Sequence, residues 1–410
     1  MADLISTENY VECPFVIVKI GDTTFGSYSR EVDKRILGST LKVTYPNCMK
    51  GISVVKVNGE VNTYTINMVY AITENDDPNM LEKVFSSIRN KREMTLTYGD
   101  WNSPSNIYKN ETALVTSVKS QLDVRNSKIT YTITGVSNAL ALSSAVYDFP
   151  AREAKPSDII RELLYTASYG LLKVFTGMIN KSAVNNAGLL ASDDQKVFIE
   201  AKTGTNVIDY INYLTSYMMS SSSKGNLGDS IYQMAISDDS SNSMGGPYFQ
   251  VKKISVNTSR SSADNAWEID VGFPGNNQVM SFSVDNDESW SLLYDYQDKI
   301  SQSSYSYKID NNGELQITET PSIMRSRRHK NLPEKNKTWW TKMTQFPITA
   351  TLTLKGLVRP TLLMDYIKVN VLFYGRKHIA TGIYVITKQE DTINESGYRT
   401  TLTLLRVGGE

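Results

Sequence analysis

The amino-acid sequence predicts a mainly β protein with a few helices, and three observations carry that expectation. The closing stretch, Thr341 to Glu410, opens on Phe346-Pro347-Ile348-Thr349-Ala350-Thr351-Leu352-Thr353-Leu354, in which apolar or small side chains alternate with Thr. A period of two puts one set on a core face and the other toward solvent, as in a half-buried strand. Asn58-Gly59 stands between Ile52-Ser53-Val54-Val55-Lys56-Val57 and the alternating run Glu60 to Tyr70, a strong signal for a tight hairpin. Finally, one cassette occurs twice. Thr112 to Lys119, a polar bend from Asp123 to Ser127, and Lys128 to Val136 run parallel to Thr381 to Lys388, a polar bend from Asp391 to Gly397, and Tyr398 to Val407. Either the chain carries two copies of one sheet domain, or these segments share only the look of Thr-rich antiparallel hairpins.

Taken in order, Phe15 to Ile20 reads as a strand entering a turn at Gly21-Asp22, and Leu41 to Tyr45 as another strand. Asp76-Asp77-Pro78 starts a helix, with Asp at the cap and Pro at an early position, and Leu81, Val84, Phe85 and Ile88 fall on one face. Met94 to Gly99 returns to strand. The character changes at Pro150. Pro156 to Leu164 is a helix with Ile159, Ile160, Leu163 and Leu164 inward, and a second helix opens at Thr203-Gly204-Thr205 with Val207, Ile208, Ile211 and Leu214 as its stripe. Asn180 to Asp194, Ser220 to Gly228 and Ser237 to Gly246 read as loops, the last two exposed, around a hairpin of Ile231 to Ile236 with Tyr248 to Ile254. Trp267 to Val284 and Tyr305 to Thr318, the latter turning at Asn311-Asn312-Gly313, look like peripheral sheet. The final meander adds Tyr366 to Phe373, a turn at Gly375-Arg376-Lys377, and Ile379 to Thr387. Its Leu402, Leu404, Ile383 and Val385 are expected to form one buried face.

Composition bounds the function. The 410 residues suit about two to four domains. Lys plus Arg and Asp plus Glu both number 43, so the basic excess of a protein that wraps nucleic acid is missing. Cys13 and Cys48 are too few for a disulfide framework. The start, Met1 to Tyr10, lacks the pattern of a signal peptide, and no apolar run approaches the ~20 residues of a membrane span. A soluble product made in the cytoplasm is expected.

Candidate chemistry is sparse. His329 lies inside the basic run Arg325 to Lys330 and His378 beside Lys377, so both are expected at the surface and neither as a catalytic base. Asp285-Asn286-Asp287-Glu288 starts like a calcium loop, but Trp290 occupies the position where Gly makes the sharp turn. No phosphate loop or dinucleotide fingerprint is present. The basic run, followed by Trp339-Trp340, suits a solvated loop or an acidic partner. No catalytic, cofactor-binding or metal residue is assigned.

The order of elements carries a resemblance. A sheet domain, the helix Ser157 to Leu164 running to Tyr169-Gly170, Thr205 to Ile211 with its hairpin, and a meander containing Gly382-Ile383-Tyr384-Val385-Ile386 and Gly397-Tyr398-Arg399-Thr400-Thr401-Leu402-Thr403-Leu404 resemble the central baseplate hub proteins of contractile phage tails. Type VI secretion spike proteins share that layout. The resemblance implies a virion structural protein, assembled in the host cytoplasm: a homotrimer whose two tube-protein-like barrels per chain make a ring of six, adapting the six-fold tail tube to the three-fold central spike. Tail tube, spike, other baseplate and tape-measure proteins would be its partners; genomic DNA would only pass through, with no stable membrane association and no cofactor. The implied domains are 1–148, a first tube-like barrel with a packed helix; 149–255, elements contributing to the central and second barrel domain; 256–340, a peripheral β region with the basic loop; and 341–410, the closing strands of the second barrel. An appended lysozyme or peptidase domain is not expected. The alternatives are a tail-associated cell-wall hydrolase and a carbohydrate-binding β protein using Trp339 and Trp340.

Overall fold

The computed structural model describes residues 10–27, 48–73, 76–101, 108–165, 196–215, 217–218, 230–238, 248–255, 267–273, 277–286, 294–298, 303–309, 315–320, 348–357 and 363–408. It is mainly β. Strand Leu41 to Tyr45, the loop Asn180 to Asp194, Tyr169-Gly170, Asp287-Glu288, Trp290, His329, the basic run and Trp339-Trp340 lie outside the described residues.

The first half comprises β1 (Pro14–Ile20), β2 (Thr23–Gly26), β3 (Met49–Val57), β4 (Thr63–Ala71), α1 (Pro78–Ser87), β5 (Glu93–Asp100), β6 (Tyr108–Asp123) and β7 (Lys128–Ser137). Their order in the sheet is β3-β4-β7-β6-β5-β1-β2, all antiparallel. Alternation decides the faces: Tyr64, Ile66, Met68 and Tyr70 of β4 turn into a core shared with Val18, Leu96, Val115 and Ile133. The Asp77 carboxylate caps α1 by accepting from the Asn79 amide at 2.9 Å, with Pro78 in the first turn. Val84 and Ile88 are buried, but Phe85, expected on the same face, is 45% exposed. Positions 84 and 88 align one turn apart, and the step to 85 rotates that side chain about 100° off their line.

A second unit follows: α2 (Leu140–Ser144), β8 (Val146–Phe149), β9 (Arg152–Ala154), α3 (Pro156–Tyr165), β10 (Val197–Ile199), β11 (Lys202–Asn206), α4 (Val207–Thr215), β12 (Ser230–Ser237) and β13 (Tyr248–Ser255). Its core gathers Ile159, Ile160, Leu163, Val207, Ile211, Leu214 and Ile236, with Phe149 stacked on Tyr210 at 3.8 Å between centroids. Thr203-Gly204-Thr205, expected to open the helix, belongs to β11, paired with β8; the helix starts where Asn206 accepts from the Asp209 amide at 2.8 Å.

The second half of the sheet holds β14 (Trp267–Phe273), β15 (Val279–Asn286), β19 (Ile348–Lys355), β20 (Tyr366–Phe373), β21 (Arg376–Lys377), β22 (Gly382–Asn394) and β23 (Gly397–Gly408). A separate three-stranded sheet, β16 (Tyr294–Asp298), β17 (Ser303–Ile309) and β18 (Leu315–Thr320), intervenes in sequence between β15 and β19. β14 and β15 are therefore not peripheral. Trp267, Ile269 and Val271 are buried in the same core as Leu352, Leu354, Leu402 and Leu404, because β14 pairs with β20 and β15 with β19.

The two halves repeat one another strand for strand. In sequence order β3, β4, β5, β6, β7 correspond to β15, β19, β20, β22, β23, and the spatial order is β3-β4-β7-β6-β5 in one and β15-β19-β23-β22-β20 in the other. Two of the irregularities also coincide, while the register shift of β22 against β23 between Ile383 and Tyr384 is unmatched in β6 and β7. β3 shifts register against β4 between Met49 and Gly51, as β15 does against β19 between Val279 and Ser281. β6 bulges against β7 at Thr116, whose hydroxyl donates to the Thr134 carbonyl at 3.1 Å; β22 bulges against β23 at Thr387, whose hydroxyl donates to the Thr403 carbonyl at 3.2 Å. Before the bulges, Lys91 (φ 63°) and Met364 (φ 64°) take the same left-handed conformation, and their amides donate to Val115 and Ile386. These matches align Thr116 with Thr387, two residues from the frame in which Thr112 meets Thr381. The halves differ beyond β5 and β20, where β1 is antiparallel to β5 and β14 parallel to β20.

Three further expectations are corrected. Asn58-Gly59 does turn the chain between the antiparallel β3 and β4, with the Glu60 amide donating to the Val57 carbonyl at 3.2 Å, but the ladder stops at Val55 and Thr63, so the hairpin is wider than expected. The intervening loop is drawn toward the second unit: the Gly59 amide donates to Met234, and the Asn212 side chain donates to the Gly59 carbonyl at 2.8 Å. Asp391 to Asn394 is no bend but continues β22, and only Glu395-Ser396 turns. The four closing-strand residues are all buried in one core, yet Leu404 lies opposite Ile386 and Val385 opposite Leu405, so Val385 faces away from Leu404.

Candidate functional site: the joint between the two halves

β22 is one strand with two neighbours along the same edge. Gly382 to Val385 pair with β20, then Lys388 to Ile393 pair with β3 of the first half, in the register Lys388 to Val57, Glu390 to Val55 and Ile393 to Ile52. The Thr387 bulge lies at the changeover, and an extra residue there increases local twist and re-aims the strand. Past it, Ile393 and Tyr398 join the first half's core. Gly51 allows the close approach: a Cβ there would lie 2.7 Å from the Ile393 carbonyl oxygen.

The joint encloses charge. The Lys56 ammonium meets Glu111 at 2.6 Å, and Glu111 also accepts from the Tyr64 and Tyr98 hydroxyls at 2.8 and 3.0 Å. The Lys109 ammonium meets Asp391 at 2.8 Å; Asp391 accepts from Gln389 at 2.8 Å and Thr400 at 2.7 Å. Asp238, from the second unit, accepts from the Ser137 hydroxyl at 2.6 Å, the Asn62 amide at 2.7 Å and the Tyr64 hydroxyl at 3.0 Å. Lys56, Lys109, Glu111, Asp238, Asp391 and Gln389 are all fully shielded from water.

Such ions are costly to bury and stable only when each finds partners, so removing one leaves another stranded. Burial pushes the Lys109 ammonium below its usual range, with Asp391 working against that shift. Burial also pushes the Asp238 carboxyl up to about 6, against the lowering effect of its Ser137, Asn62 and Tyr64 donors. The Tyr64 and Tyr98 phenols are raised well above their ordinary value, first by burial and then by the neighbouring carboxylates, so both act as neutral donors. Shielded from water, the cluster suits holding three parts of the chain together.

No site residue assigned from the sequence lies in this cluster. His378 is exposed on the β21 turn, edge-on to Phe373 at 5.9 Å, its Nδ1 accepting from the Ala380 amide. Asp285 and Asn286 are in β15. Cys13 and Cys48 are free thiols, and burial raises Cys48 to about 11. Among the described residues no group of three or more His, Cys, Asp or Glu is arranged to hold a metal, and no helix is long and apolar enough to cross a membrane. Parity carried only a partial signal for the buried charges: Lys56 follows Ile52 and Val54, Glu111 precedes Ala113 and Val115, and Asp391 precedes Ile393, but each has a polar residue two positions away on its other side. Asp238 likewise follows Met234 and Ile236 on one parity, but the Ser- and Asn-rich stretch after it reads as exposed loop.

No family model matches the chain, and no curated protein sequence matches it. Solved structures do. The fold is similar to that of the 43 kDa tail protein of prophage MuSo2 from Shewanella oneidensis, at TM-score 0.53 and 10% identity over 95% of this chain and 96% of that one. A tail protein from Neisseria meningitidis is similar at TM-score 0.53 and 9% identity, over 96% and 97% of the two chains. A chain of the lidded Francisella PdpA–VgrG complex is similar at TM-score 0.50 and 10% identity; 98% of this chain corresponds to 54% of that one. At such identities the likeness is one of fold, and the chain has a fold that phage tail proteins adopt.

Proposed function

We propose that the chain is a structural hub of a contractile phage tail or related injection machine: a homotrimer that adapts a six-fold tail tube to a three-fold central spike and lines the channel for DNA passage. The duplication carries this reading. Two units with the same five-strand order and matching bulges at Thr116 and Thr387 sit in one chain, so three chains supply six similar faces for a tube while the intervening residues remain three-fold. In this reading the first tube-like barrel spans β1 to β7 and the second β14, β15 and β19 to β23. The second unit and β16 to β18 serve spike-side and baseplate contacts. Tail tube, spike, other baseplate and tape-measure proteins are the partners, in a virion tail baseplate assembled in the host cytoplasm. No catalytic residue or cofactor and no stable membrane association enter the reading. The likeness to tail proteins supports the setting.

The test is the mass of the purified chain by light scattering, alone and mixed with its tube and spike proteins. Three copies per particle are expected, with the two barrels superposing and related by about 60° around the axis, as six units in a ring require. A chain that stays monomeric with both partners, or hydrolysis of cell-wall glycan or peptide by the purified chain, overturns the reading.

A further inference from the structure

The chain already contains one complete joint between its two repeated units, and the same repeat leaves the two sides of a second joint open. The joint it contains is formed by β22 beyond its bulge and β3. By the correspondence of strands and bulges, the matching surfaces are β6 beyond Thr116 and the outer edge of β15. Among the described residues, β6 beyond Val115 pairs only with β7, and β15 only with β19. β15 ends the sheet order, β6 leaves its pairing with β5 at Leu114, and the two edges belong to different halves of one chain.

We infer that β6 residues 117–122 of one copy pair antiparallel with β15 of a second copy, in the register that β22 and β3 use inside the chain. Transferring that register sets Leu122 opposite Phe282, Gln121 opposite Ser283, Ser120 opposite Val284, Lys119 opposite Asp285 and Val118 opposite Asn286. This deepens the hub reading and rests on it, since a joint of this kind alternates with the internal one around a ring.

Exposure supports the pairing. Ile393 and Ile52 meet in the internal joint at 6% and 2% exposure, whereas Leu122, the counterpart of Ile393, is 67% exposed. Val124, Met280 and Val284 are also among the large apolar side chains left in solvent, at 86%, 49% and 38%. At the rim of the internal joint Lys50 pairs with Glu395 at 3.1 Å; the corresponding positions on the open edges are Met280 and Val124. An ion pair at one joint is thus matched by two apolar side chains at the other. Between them the transferred register sets Lys119 against Asp285, opposite charges on adjacent strands. A long edge with exposed Leu and Val invites uncontrolled pairing unless a specific partner covers it, and added strands are held by their backbone hydrogen bonds. One difference is built in. Ser281 replaces Gly51, so the second joint opens slightly at that end.

Because β6 meets β15 and not itself, the contact is head-to-tail and closes into a ring or continues as a fibre. The experiment places Gln121→Cys and Ser283→Cys in the full-length chain and oxidises it at a concentration where the wild type assembles. A covalent trimer is expected on non-reducing gels, only dimers when the two single-cysteine variants are mixed, and no cross-link from either variant alone. A particle of three copies by mass whose cysteines stay unlinked overturns the edge pairing and leaves the ring standing; a chain that stays monomeric overturns both. Charge reversal gives an independent readout. Lys119→Glu or Asp285→Lys should weaken self-association by ~3- to 10-fold, and the double reversal should restore it. Two single effects that merely add in the double variant would overturn the register.

Discussion

The two halves of the sheet share a backbone and differ in what they enclose. Tyr64 faces Gly135 across β4 and β7, whereas at the matching place Ala350 faces Leu404 across β19 and β23; the bulk has changed sides. Leu96 lies opposite Glu111 in the first half and Val369 opposite Gly382 in the second. The first interior is threaded by ion pairs and tyrosine hydroxyls, and the second is aliphatic around Leu352, Ile367, Val369 and Leu404. Interiors can be exchanged between facing strands so long as total volume is kept. Bulges and left-handed residues are less free where they set how an edge points, and Thr116 with Lys91 is matched by Thr387 with Met364.

This contrast can be broken most sharply at Asp391. Asp391→Ala strands the Lys109 ammonium in the first interior and should cost about 3 to 5 kcal/mol in denaturant unfolding. A loss below ~1 kcal/mol would mean that Lys109 is not held as an ion there. In the aliphatic half, Leu404→Ala should cost about 2 to 5 kcal/mol, and an unchanged melting temperature would refute that core. Asp238 predicts a pH effect confined to the charged side. Its folded pKa of about 6 lies above the ordinary 3.8, so the native state binds the extra proton. Stability from this group is therefore full below about pH 4 and declines as pH rises toward and through 6, by roughly 2 to 3 kcal/mol in all. Asp238→Asn should flatten that decline, and a slope unchanged by the substitution would assign it elsewhere. The smallest effects test the shared backbone. Thr116→Val and Thr387→Val each remove one bulge hydrogen bond and should cost about 0.5 to 1.5 kcal/mol, by similar amounts in the two halves. His378→Ala, at an exposed turn, should shift stability by less than ~0.5 kcal/mol.

Alternation made most of the strands legible, including both cassettes, because a half-buried antiparallel strand must repeat every two residues. It failed where a polar residue is buried by partners distant in sequence. Asp391 looks like the start of a bend until Lys109 is brought to it, and Ser237 and Asp238 look like exposed loop until Ser137, Asn62 and Tyr64 enclose the carboxylate. Trp267 to Phe273 was legible as a strand but not as core, since nothing local indicates that β20 runs parallel beside it. Asn58-Gly59 makes the tight turn it prefers, but the loop around it docks on α4 and β12 in place of continuing the β3–β4 ladder, which nothing local indicates.

The sharing of β22 sets an order of events during synthesis. Lys109 waits for a counter-ion 282 positions further along the chain, and the wall that seals Lys56 and Glu111 from water comes from the same late hairpin. As the chain leaves the ribosome at about 5 to 20 residues per second, the first half can assemble β1 to β7 early but stays unsealed along β3 for roughly a quarter to one minute. During that interval its open edge and unneutralised lysine leave it incomplete, so a chain truncated before Gln389 would lose the stability of the half it still contains.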